Sequence, residues 1–278
     1  RQHLGYSFRE ALEALSARTG IELPEQRRET VEMRQARAQR QDEKARFYDL
    51  TARARSYFVG QLDDAALAYL REQRGLSDAM IARYEIGWAP DAWDAFSNAV
   101  LRRFQDQRDA IAVGLVAQRK EQRGVYDRFR GRVMFPVYAL GGKIAGFSGR
   151  TLSADPETPK YVNSSESNIF KKSDLLYGLH QAQKSIRALD TAILCEGQVD
   201  VITLAQHGFE NAVAPMGTAL TDNQCRLLAR FTRRVVLLYD GDSAGRKAAN
   251  AGIGLLLKAG LSGRVVQLPD GTDPDSYL

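Results

Sequence analysis

From about residue 190 to the end of the chain, short apolar runs alternate with segments of helical spacing. The apolar runs cover residues 191–195, 211–215, 235–239 and 264–268. The helical segments between them lie near residues 199–206, 221–231 and 243–259. Uninterrupted apolar runs of this length are typical of strands buried on both faces of a parallel sheet, with helices as the crossovers. The sequence therefore predicts a compact βαβ domain with a mostly parallel sheet.

Acidic side chains follow three of the four apolar runs, at the point where each run ends. They are Glu196 and Asp200, then Asp240 and Asp242, and finally Asp270, Asp273 and Asp275. Because open α/β sheets bind their ligands at the carboxyl ends of parallel strands, we expect these acids to share one crevice. Three or more carboxylates there repel one another unless a cation neutralises them, and hard oxygen ligands suit Mg²⁺ or Mn²⁺. The pattern predicts metal-dependent phosphate chemistry.

Each acidic cluster has a simpler interpretation when it is taken alone. An Asp-Gly pair is most often a turn, and Asp273-Pro274 is a common turn starter. The recurrence of acids after three strands of one predicted sheet favours a shared site over three unrelated turns. Glu196 and Asp200 also stand four residues apart across a strand-to-helix turn, so both can face the same crevice.

The composition of the 278-residue chain is ordinary for a globular protein, with 44% hydrophobic and 26% charged residues. No apolar stretch approaches the roughly 20 residues needed to cross a membrane, and the first residues form no apolar signal segment. The two cysteines and three histidines are scattered without zinc-site spacing, so we expect no zinc in this chain. We expect a reducing, cytoplasmic setting.

The net charge of +5 is unevenly distributed along the chain. Residues 26–55 carry nine Lys and Arg residues against five acidic residues. A solvated helix or linker explains this stretch as well as a nucleic acid or another acidic partner does. Both interpretations stay open at this point.

Upstream of residue 190 the chain mixes helical and β-like patterns. The helical patterns cover residues 6–19, residues 25–45 as a linker or an exposed helix, residues 44–83 with breaks near Gly60 and Gly75, and residues 84–120 with turns. Two β-like runs, Arg132–Val137 and Ile144–Ser148, flank a Gly141-Gly142 turn signal. Residues 151–173 form a predicted loop.

Basic residues cluster ahead of the acidic domain. Arg128, Arg130 and Arg132 alternate along a β-like run, which would place all three side chains on one face. Surface arginines on a half-buried strand would show the same alternation, so this pattern has two explanations. The loop-rich segment that follows carries further candidates, Lys160, Asn163, Lys171 and Lys172. Side chains of these types hold phosphates by charge or by hydrogen bonding.

The acidic motifs resemble those of a known family. Glu196-Gly-Gln-Val-Asp200, Asp240-Gly-Asp242 and the later acidic run are similar to the Toprim domain shared by bacterial primases, topoisomerases and some nucleases. The resemblance implies that Glu196, Asp240 and Asp242 are the catalytic acids. It extends the metal site to Asp200, Asp273 and Asp275, with Glu196 acting either as a ligand or as a general base.

A longer series of motifs narrows the resemblance to the bacterial DnaG-type primase family. It comprises Tyr126-Asp-Arg-Phe-Arg130-Gly-Arg132-Val-Met-Phe-Pro136, Gly146-Phe-Ser-Gly-Arg150, Pro159-Lys-Tyr-Val-Asn163-Ser, and Ile169-Phe-Lys-Lys172 followed by Leu176-Tyr-Gly178. The motifs are long and ordered, and the similarity covers about residues 6–25 and most of 55–278. In the family this region forms a basic ridge that binds template and nucleotide phosphates. That role is implied here for Arg128, Arg130, Arg132, Arg150, Lys160, Asn163, Lys171 and Lys172.

The resemblance implies an α/β protein, α+β overall, in three parts. Residues 1–25 would be the end of a preceding zinc-module or linker region, residues 26–189 a basic N-terminal subdomain of mixed helices and strands, and residues 190–278 the Toprim catalytic domain. Family members carry a zinc module before this region and helical and helicase-binding domains after it, so the chain resembles a central fragment. Gln198 stands where primases usually carry Tyr, and we expect it to alter packing rather than chemistry.

The implied activity is that of a DNA-directed RNA polymerase that synthesises short RNA primers during DNA replication. The implied cofactor is Mg²⁺, with Mn²⁺ able to substitute. The implied partners are a single-stranded DNA template, ribonucleoside triphosphates, the RNA primer, and a replicative helicase bound through a region outside this chain. The resemblance also implies no membrane contact and a cytoplasmic location at the nucleoid and replication fork.

Two rival functions stay open from the sequence. A Toprim nuclease or topoisomerase would use the same acids, and topoisomerase chemistry needs a nucleophilic tyrosine, for which Tyr239 is the obvious candidate. The place of Tyr239 at the end of a buried strand favours packing instead. A non-catalytic DNA-binding module would hold metal only for structure.

Overall fold

The computed structural model describes residues 8–20, 30–119, 124–217 and 219–278. The chain divides into two compact units, residues 1–42 and residues 43–278. Helix α1 (Phe8–Thr19) belongs to the first unit and confirms the predicted helix from residue 8 onward, whereas residues 6 and 7 lie outside the described ranges. Gly20 ends this helix with a positive φ of 68°, and its N–H donates to the carbonyl of Ser16.

Helix α2 (Val31–Gly60) shows that the basic stretch is helical where the structure describes it. The side chains of residues 31–42 are all exposed, in agreement with the predicted exposed helix. Further along α2, apolar residues at helical spacing are buried and contribute to a core. They are Phe47, Leu50, Ala54 and Phe58. Several basic residues here are paired within the second unit: Arg46 with Asp109, Arg53 with Asp106, and Arg55 with Glu85. Part of the positive charge of this stretch therefore has a structural use.

Short helices follow α2. They are α3 (Asp64–Ala68), a π-helical turn (Tyr69–Gln73), α4 (Asp78–Arg83), α5 (Ala95–Val100) and α6 (Phe104–Ala112). The predicted breaks near Gly60 and Gly75 are confirmed, since α2 ends at the first and the second lies between the π-helical turn and α4. A π-helical turn is rare and often marks a functional site.

The described residues of this part of the chain form six strands: β1 (Gly87–Ala89), β2 (Val116–Gln118), β3 (Val125–Asp127), β4 (Arg132–Tyr138), β5 (Ile144–Thr151) and β6 (Tyr161–Asn163). Four of them form an antiparallel sheet in the order β1-β4-β5-β6, while β2 pairs with β3. The predicted strands β4 and β5 are confirmed. β6 lies inside the segment predicted as a loop, so that prediction is wrong for residues 161–163.

The remaining elements alternate strictly. They are α7 (Leu179–Leu189), β7 (Ala192–Leu194), α8 (Gln198–Gln206), β8 (Ala212–Val213), α9 (Asp222–Leu228), β9 (Arg234–Leu238), α10 (Ser243–Lys258), β10 (Ser262–Val266) and α11 (Pro274–Tyr277). All pairs in the sheet β10-β9-β7-β8 are parallel, which confirms the predicted βαβ domain. β10 begins two residues earlier than the apolar run suggests.

The order of the parallel strands creates a switch point between β7 and β9. From β7 the chain passes through α8 to the neighbour on one side, β8, whereas from β9 it passes through α10 to the outer strand on the other side, β10. Loops that leave such a pair of strands diverge, and a crevice opens at the carboxyl ends of the two strands. The first two acidic clusters leave β7 and β9, which places them at this crevice.

The two sheets share one apolar core. Val133, Phe135 and Val137 of β4 belong to the same buried cluster as Val201 and Leu204 of α8. The opposite face of the parallel sheet packs with α9 and α10 in a second cluster. Because the sheets pack on each other through α8, residues of the antiparallel sheet can reach the acidic crevice.

Two polar contacts join the sheets. The side chain of Gln198 is buried and donates through Nε2 to Ser148 Oγ on β5 at 3.2 Å. Asn163 of β6 donates through Nδ2 to the carbonyl of Met216 at 3.0 Å. The location of Gln198 in the contact between the sheets agrees with the expected packing role of this residue. Across the described ranges, none of the helices combines the length and the apolar character of a membrane span.

Candidate active site

The first acid of the crevice ties the two central strands together. Glu196, which follows β7, accepts a hydrogen bond through Oε1 from the backbone N–H of Asp240, which follows β9, at 3.1 Å. Burial raises the pKa of the Glu196 carboxyl above its ordinary value, the Asp240 N–H opposes the rise, and the charge of Asp242 adds to it. The Glu196 side chain is nevertheless exposed to the crevice.

Asp200 lies deeper, in the first turn of α8. Its Oδ2 accepts a hydrogen bond from the backbone N–H of Gly197 at 2.9 Å, which helps to begin the helix. The side chain is buried, and burial raises its pKa to about 7. The charges of Asp240, Asp273 and Asp275 contribute to the rise. Asp200 therefore interacts electrostatically with the other acids, although it does not contact them directly.

The Asp240-Gly-Asp242 turn carries two acids with different surroundings. Burial raises the pKa of Asp240 to about 6, and the charges of Glu196, Asp273 and Asp242 add to the rise. The positive charge of Lys160, on the connection between β5 and β6, opposes the rise. Asp242 is exposed and caps α10, because its Oδ1 accepts from the backbone N–H of Gly245 at 2.7 Å.

Gly241 brings the third acidic cluster to the crevice. Its N–H donates to the carbonyl of Thr272 at 2.9 Å, and a Cβ at this position would lie 2.1 Å from the carbonyl oxygen of Pro269. Only a residue without a Cβ allows the loop after β10 to approach this closely. The loop ends at Asp273, which caps α11 by accepting from the backbone N–H of Ser276 at 2.7 Å. Burial acts to raise the pKa of Asp273, but the hydrogen bonds from Ser276 outweigh it and lower the pKa.

Both carboxylate oxygens of Asp275 already have protein partners. Arg74 Nη1 lies 2.8 Å from Oδ2, and Thr203 Oγ1 donates to Oδ1 at 2.6 Å. Arg74 in turn donates through Nε to the hydroxyl of Tyr69, in the π-helical turn. Asp275 therefore fixes α11 against α8 and the N-terminal part of the second unit. For this acid to bind a cation, Arg74 or Thr203 would have to move.

The donor set suits a hard divalent cation by its chemistry. No three His, Cys, Asp or Glu side chains in the described ranges converge closely enough to enclose a metal ion as they stand. The charge of Asp242 nevertheless adds to the raised pKa of Glu196 and of Asp240, and the charge of Glu196 adds to that of Asp240, so these carboxylates lie within electrostatic reach of one another. Carboxylate oxygens are the ligands that Mg²⁺ and Mn²⁺ prefer, and a cation would remove the repulsion among them. We conclude that these residues fit such an ion.

The three alternating arginines do not share a face, so this prediction is wrong. β3 ends at Asp127 and β4 begins at Arg132, with Gly131 at a φ of 57° between them, so residues 128–131 form a bend. Arg128 is exposed and donates to Ser165 Oγ. Arg130 stacks on the ring of Trp93 at 4.0 Å. Strict alternation requires a continuous strand, and the left-handed glycine interrupts it.

Arg132 is a structural residue in this geometry. Its side chain is buried and donates through Nη1 to the carbonyls of Gly149 and Pro159 at 3.1 and 2.9 Å. Burial lowers its pKa from the ordinary arginine value. Because both contacts hold the ends of the β5–β6 connection, Arg132 positions the segment that carries Lys160.

A cleft of about 550 Å³ opens beside that connection. It is lined by Tyr69, Gln73, Arg150 and Lys160, among others. Arg150 lies over the rings of Tyr69 and Tyr161 and donates to the Tyr161 hydroxyl at 3.0 Å. These contacts hold the Arg150 guanidinium in a cleft that Lys160 also lines, an arrangement that suits phosphate groups.

The other predicted basic residues lie further along the chain. Lys171 is exposed and Lys172 half-buried at the 3₁₀ turn Lys172–Asp174, and no side-chain partner of either is found among the described residues. Asn163 uses its Nδ2 to join the sheets, as described above, while its Oδ1 is buried without a partner. The hydrogen bond that Asn163 makes in this structure is therefore a structural one.

Tyr239 does not have the surroundings of a nucleophile. The side chain is 6% exposed and belongs to the apolar cluster beneath α10. Burial raises its pKa above the ordinary tyrosine value, and the nearby Glu196 adds to the rise. A tyrosine that attacks DNA must reach the phosphate and lose its proton, and this geometry opposes both.

Two components of the site were not found from the sequence. Arg74 and Tyr69 belong to a helical segment far upstream, and nothing in their spacing indicates a contact with the last acidic cluster. The sequence indicates only a turn at Gly241, whereas the close approach of this residue to Pro269 is what places Asp273. Only the tertiary contacts reveal both features.

Two family models match consecutive parts of the chain. The DNA primase catalytic core, N-terminal domain, matches residues 56–183, and a Toprim-like model matches residues 193–278. Among curated proteins, the DNA primase of Deinococcus radiodurans is 40% identical over 278 residues, which are 100% of this chain and 46% of the relative. The DNA primase of Halalkalibacterium halodurans is 39% identical over 279 residues, 99% of this chain and 45% of the relative. The chain thus spans about half the length of the curated relatives it matches.

Solved structures agree with these matches. The structure of the DnaG primase catalytic domain bound to ssDNA aligns with a TM-score of 0.77 and 39% identity, covering 85% of this chain and 77% of that one. The Aquifex aeolicus primase, with zinc-binding and RNA polymerase domains, aligns with a TM-score of 0.79 and 34% identity, covering 97% of this chain and 63% of that one. A Toprim domain joined to this N-terminal domain defines the catalytic core of a primase. The chain belongs to the DnaG family of DNA primases.

Replacing Gly241 by Ala should destabilise the protein. The new Cβ would lie 2.1 Å from the Pro269 oxygen, so the loop that carries Asp273 must shift, at a cost of about 1–3 kcal/mol. A fall in melting temperature of about 2–4 °C per kcal/mol should follow. Gly254→Ala in α10 is the matched control, because a Cβ there meets nothing within 4 Å and a helical alanine should stabilise slightly. Equal effects of both substitutions would contradict the close-approach argument.

The raised pKa of Asp200 predicts a stability that declines with pH when no divalent cation is present. The folded state holds its proton more tightly than the unfolded chain, so the stabilisation is complete below the ordinary pKa of 3.8 and is lost as pH rises through about 7. Each pKa unit corresponds to about 1.4 kcal/mol, so the loss should amount to a few kcal/mol. Denaturant melts of the parent in EDTA at pH 4, 5.5 and 7.5 measure it.

Asp200→Asn should flatten this decline, because the amide cannot ionise and can still accept from the Gly197 N–H. Asp240 titrates in the same direction, so some decline should persist. Asp64→Asn, at an exposed position on α3, should leave the parental slope unchanged. A variant slope equal to that of the parent would show that burial of Asp200 does not control the pH dependence.

Proposed function

We propose that this chain is the catalytic core of a primase, which synthesises short RNA primers on single-stranded DNA during replication. One observation supports it most directly: the hydrogen bond from Asp240 N–H to Glu196 Oε1 at the switch point, in a chain of the DnaG family. That bond keeps acids from two strands in a single crevice. The comparisons do not favour a Toprim nuclease or topoisomerase, and the burial of Tyr239 also argues against covalent attack on DNA.

The proposed cofactor is Mg²⁺, for which Mn²⁺ can substitute, held by Glu196, Asp240 and Asp242. When bound, such an ion lowers the pKa of the nucleophilic hydroxyl and neutralises charge on the transferring phosphoryl group. Glu196 Oε1 is engaged by the Asp240 N–H, so Oε2 remains for a cation or for the proton of the primer 3′-hydroxyl. Asp200 and Asp273 add negative charge beside this set, and Asp275 supports Asp273 through its contacts with Arg74 and Thr203.

Basic residues would hold the phosphates of the template and of the incoming ribonucleotide. Lys160 acts electrostatically on Asp240, and Arg150 lines the same cleft, so we assign both to the nucleotide phosphates. Arg128, Lys171 and Lys172 are accessible for the template strand, together with Arg130 on its aromatic support. Arg132 and Asn163 would contribute by positioning their segments. Positive side chains of this kind neutralise backbone phosphates without reading sequence.

The remaining proposals concern the domain boundaries, the partners and the location of the protein, and they depend on its membership of the DnaG family. We propose residues 26–189 as the basic subdomain and residues 190–278 as the Toprim domain, a boundary supported by the gap between the two matched regions. Single-stranded DNA, ribonucleoside triphosphates, the RNA primer and a replicative helicase are the proposed partners, at the nucleoid and replication fork. A solved relative bound to ssDNA supports the first of these partners.

One assay separates the rival functions. The chain is incubated with labelled ribonucleotides, a single-stranded template and Mn²⁺. Primer synthesis supports the proposal, cleavage or relaxation of DNA supports a nuclease or topoisomerase, and binding without either reaction supports a non-catalytic module. Arg74→Ala serves as an internal comparison in this assay, because loss of its contact with Asp275 should reduce synthesis without removing an acid.

Asp240→Asn should abolish cation-dependent synthesis. Removing one ligand charge weakens an interaction that supplies several kcal/mol, and each 1.36 kcal/mol is a factor of ten in rate, so we expect a loss of about a hundredfold or more. The same variant should melt higher than the parent in EDTA, because one of the mutually repelling charges is gone.

The response to Mn²⁺ tests the same site without substrate. A cation that binds only the folded state stabilises it by about 2.7 kcal/mol at a hundred times its dissociation constant. The melting temperature of the parent should therefore rise in millimolar Mn²⁺, and that of Asp240→Asn should rise less. Asp222→Asn, a carboxylate on α9 paired with Lys258, is the control and should respond like the parent. Identical responses in all three proteins would remove the basis for the metal site.

Arg130→Ala and Lys172→Ala should weaken binding of single-stranded DNA. Each lost phosphate contact should also make the dependence of log affinity on log salt shallower, by about 0.7 for a single strand. Fluorescence anisotropy with a labelled oligonucleotide at several salt concentrations measures both effects. Lys258→Ala, on α10 and paired with Asp222, is the control. An unchanged slope in both test variants would assign these side chains to an ordinary solvated surface.

A further inference from the structure

A polar cavity of about 980 Å³ lies at the other end of the β4–β5 hairpin from the acids. It is bounded by α2, α4, the β4–β5 turn and α7. Strand β4 has seven residues, from Arg132 near the Lys160 segment to Tyr138 in the cavity wall, and at ~3.3 Å per residue this separates the two ends by about 20 Å. The cavity is therefore distinct from the acidic crevice and from the cleft beside it.

The acidic side chains of the cavity are already neutralised. Glu85 binds Arg55 Nη1 at 2.7 Å with one oxygen and accepts from the Tyr138 hydroxyl with the other. Glu210 pairs with Arg83 at 2.6 Å and accepts from Ser185 with its second oxygen. The third acid of the lining, Asp49, pairs with Arg53 one helical turn away. The negative charge of each of these three carboxylates is therefore already balanced by an arginine.

The lining of the cavity carries more positively charged side chains than carboxylates. Lys143 and Lys184 are exposed at the cavity and have no carboxylate partner among the described residues. The ammonium of Lys143 lies over the ring of Tyr48 at 5.2 Å, which keeps it at the wall. Two uncompensated cations beside a cavity attract an anion, and phosphate is an anion that Lys and Arg side chains commonly bind.

Hydrogen-bonding capacity is left over inside the cavity as well. In the part of the chain that the structure describes, six buried side-chain nitrogen or oxygen atoms have no hydrogen-bond partner, and three of their residues line this cavity. They are Arg55 Nε, His180 Nδ1 and Gln181 Oε1. Unpaired buried polar atoms are rare in native proteins, so three in one cavity indicate a missing partner.

The walls also offer flat aromatic surfaces. Tyr138 and His180 stack with their ring centres 5.2 Å apart and their planes within 20°. The turn glycine Gly142 permits this arrangement, because a Cβ there would lie 2.9 Å from His180 Cε1. Together with Tyr48, these rings can pack on a planar heterocycle. The volume lies within the range of about 300–1,000 Å³ that is usual for small-molecule sites.

We propose that this cavity binds a phosphorylated small molecule of nucleotide size, with its phosphates on Lys143 and Lys184 and its ring against the aromatic wall. Arg55 and Gln181 supply the remaining polar contacts. This assignment is independent of the proposed primase activity. It rests on four features that coincide in one place: neutralised acids, two free lysines, unpaired buried atoms and stacked rings.

His180 provides a reporter inside the cavity. The chain has three histidines, so the imidazole C–H signals in an NMR spectrum are few, and the His180 signal is assigned by its loss in His180→Gln. ATP is titrated into the full chain in EDTA, which prevents metal-mediated binding at the acids. The His180 signal should shift saturably while that of His207 stays in place. No shift of the His180 signal would overturn the proposal.

Matched variants locate the binding. Lys143→Ala combined with Lys184→Ala should weaken the affinity read from His180 by about tenfold or more, since two charge-assisted contacts are lost. Lys247→Ala, another exposed lysine, on α10, should leave it unchanged, and so should Lys160→Ala beside the acids. Loss of the His180 shift in Lys160→Ala but not in the double variant would move the site to the acidic crevice and refute the assignment.

Inorganic tripolyphosphate tests the contribution of the ring. It carries the phosphates of ATP without the heterocycle, so it should compete with ATP for the same site and bind more weakly. Equal affinity of the two molecules would contradict the aromatic contact. The substituted lysines are exposed, and equal melting temperatures of the parent and the double variant confirm that a lost shift reflects binding.

Discussion

The mutual repulsion of the carboxylates at the switch point is the constraint on which the site depends. Four elements converge there, and each supplies an acid that would be more stable apart from the others. The fold holds them together with backbone donors: Asp240 N–H for Glu196, Gly197 N–H for Asp200, and helix N-termini for Asp242 and Asp273. Burial first, and the charges of the neighbouring acids second, nevertheless keep the pKa values of Glu196, Asp200 and Asp240 above their ordinary values. The remaining electrostatic strain is what a divalent cation can relieve.

The antiparallel sheet contributes more than a covering for α8. It carries Lys160 on its β5–β6 connection, and buried Arg132 fixes both ends of that connection. A basic side chain is thereby held beside acids that belong to a different sheet. Hydrogen bonds of Gln198 and Asn163 also join the antiparallel sheet to the part of the chain that carries the acids. The chemistry proposed for the crevice thus requires both sheets in a fixed relation, although the acids come from one of them.

The parallel sheet and the grouping of its acids could be predicted because they depend on local pattern. Buried parallel strands are continuous apolar runs, and their carboxyl ends must meet at one edge. The antiparallel sheet was harder, since β1, β2, β3 and β6 have only three residues each, too few to show an alternation. The arginine alternation failed because Gly131 bends the chain between two strands. Features that depend on long-range contacts, such as Arg74 on Asp275, left no local signal.

The contact between Arg74 and Asp275 joins residues that are 201 positions apart in the chain. During synthesis the N-terminal parts of a protein leave the ribosome first and fold as units. The antiparallel sheet and most of the parallel sheet can therefore form while α11 is still being made. Asp273 can reach the crevice only after α11 has been synthesised and Asp275 of this helix has paired with Arg74. A nascent chain of this kind would acquire Asp273 only after the residues of the basic surface had already been synthesised.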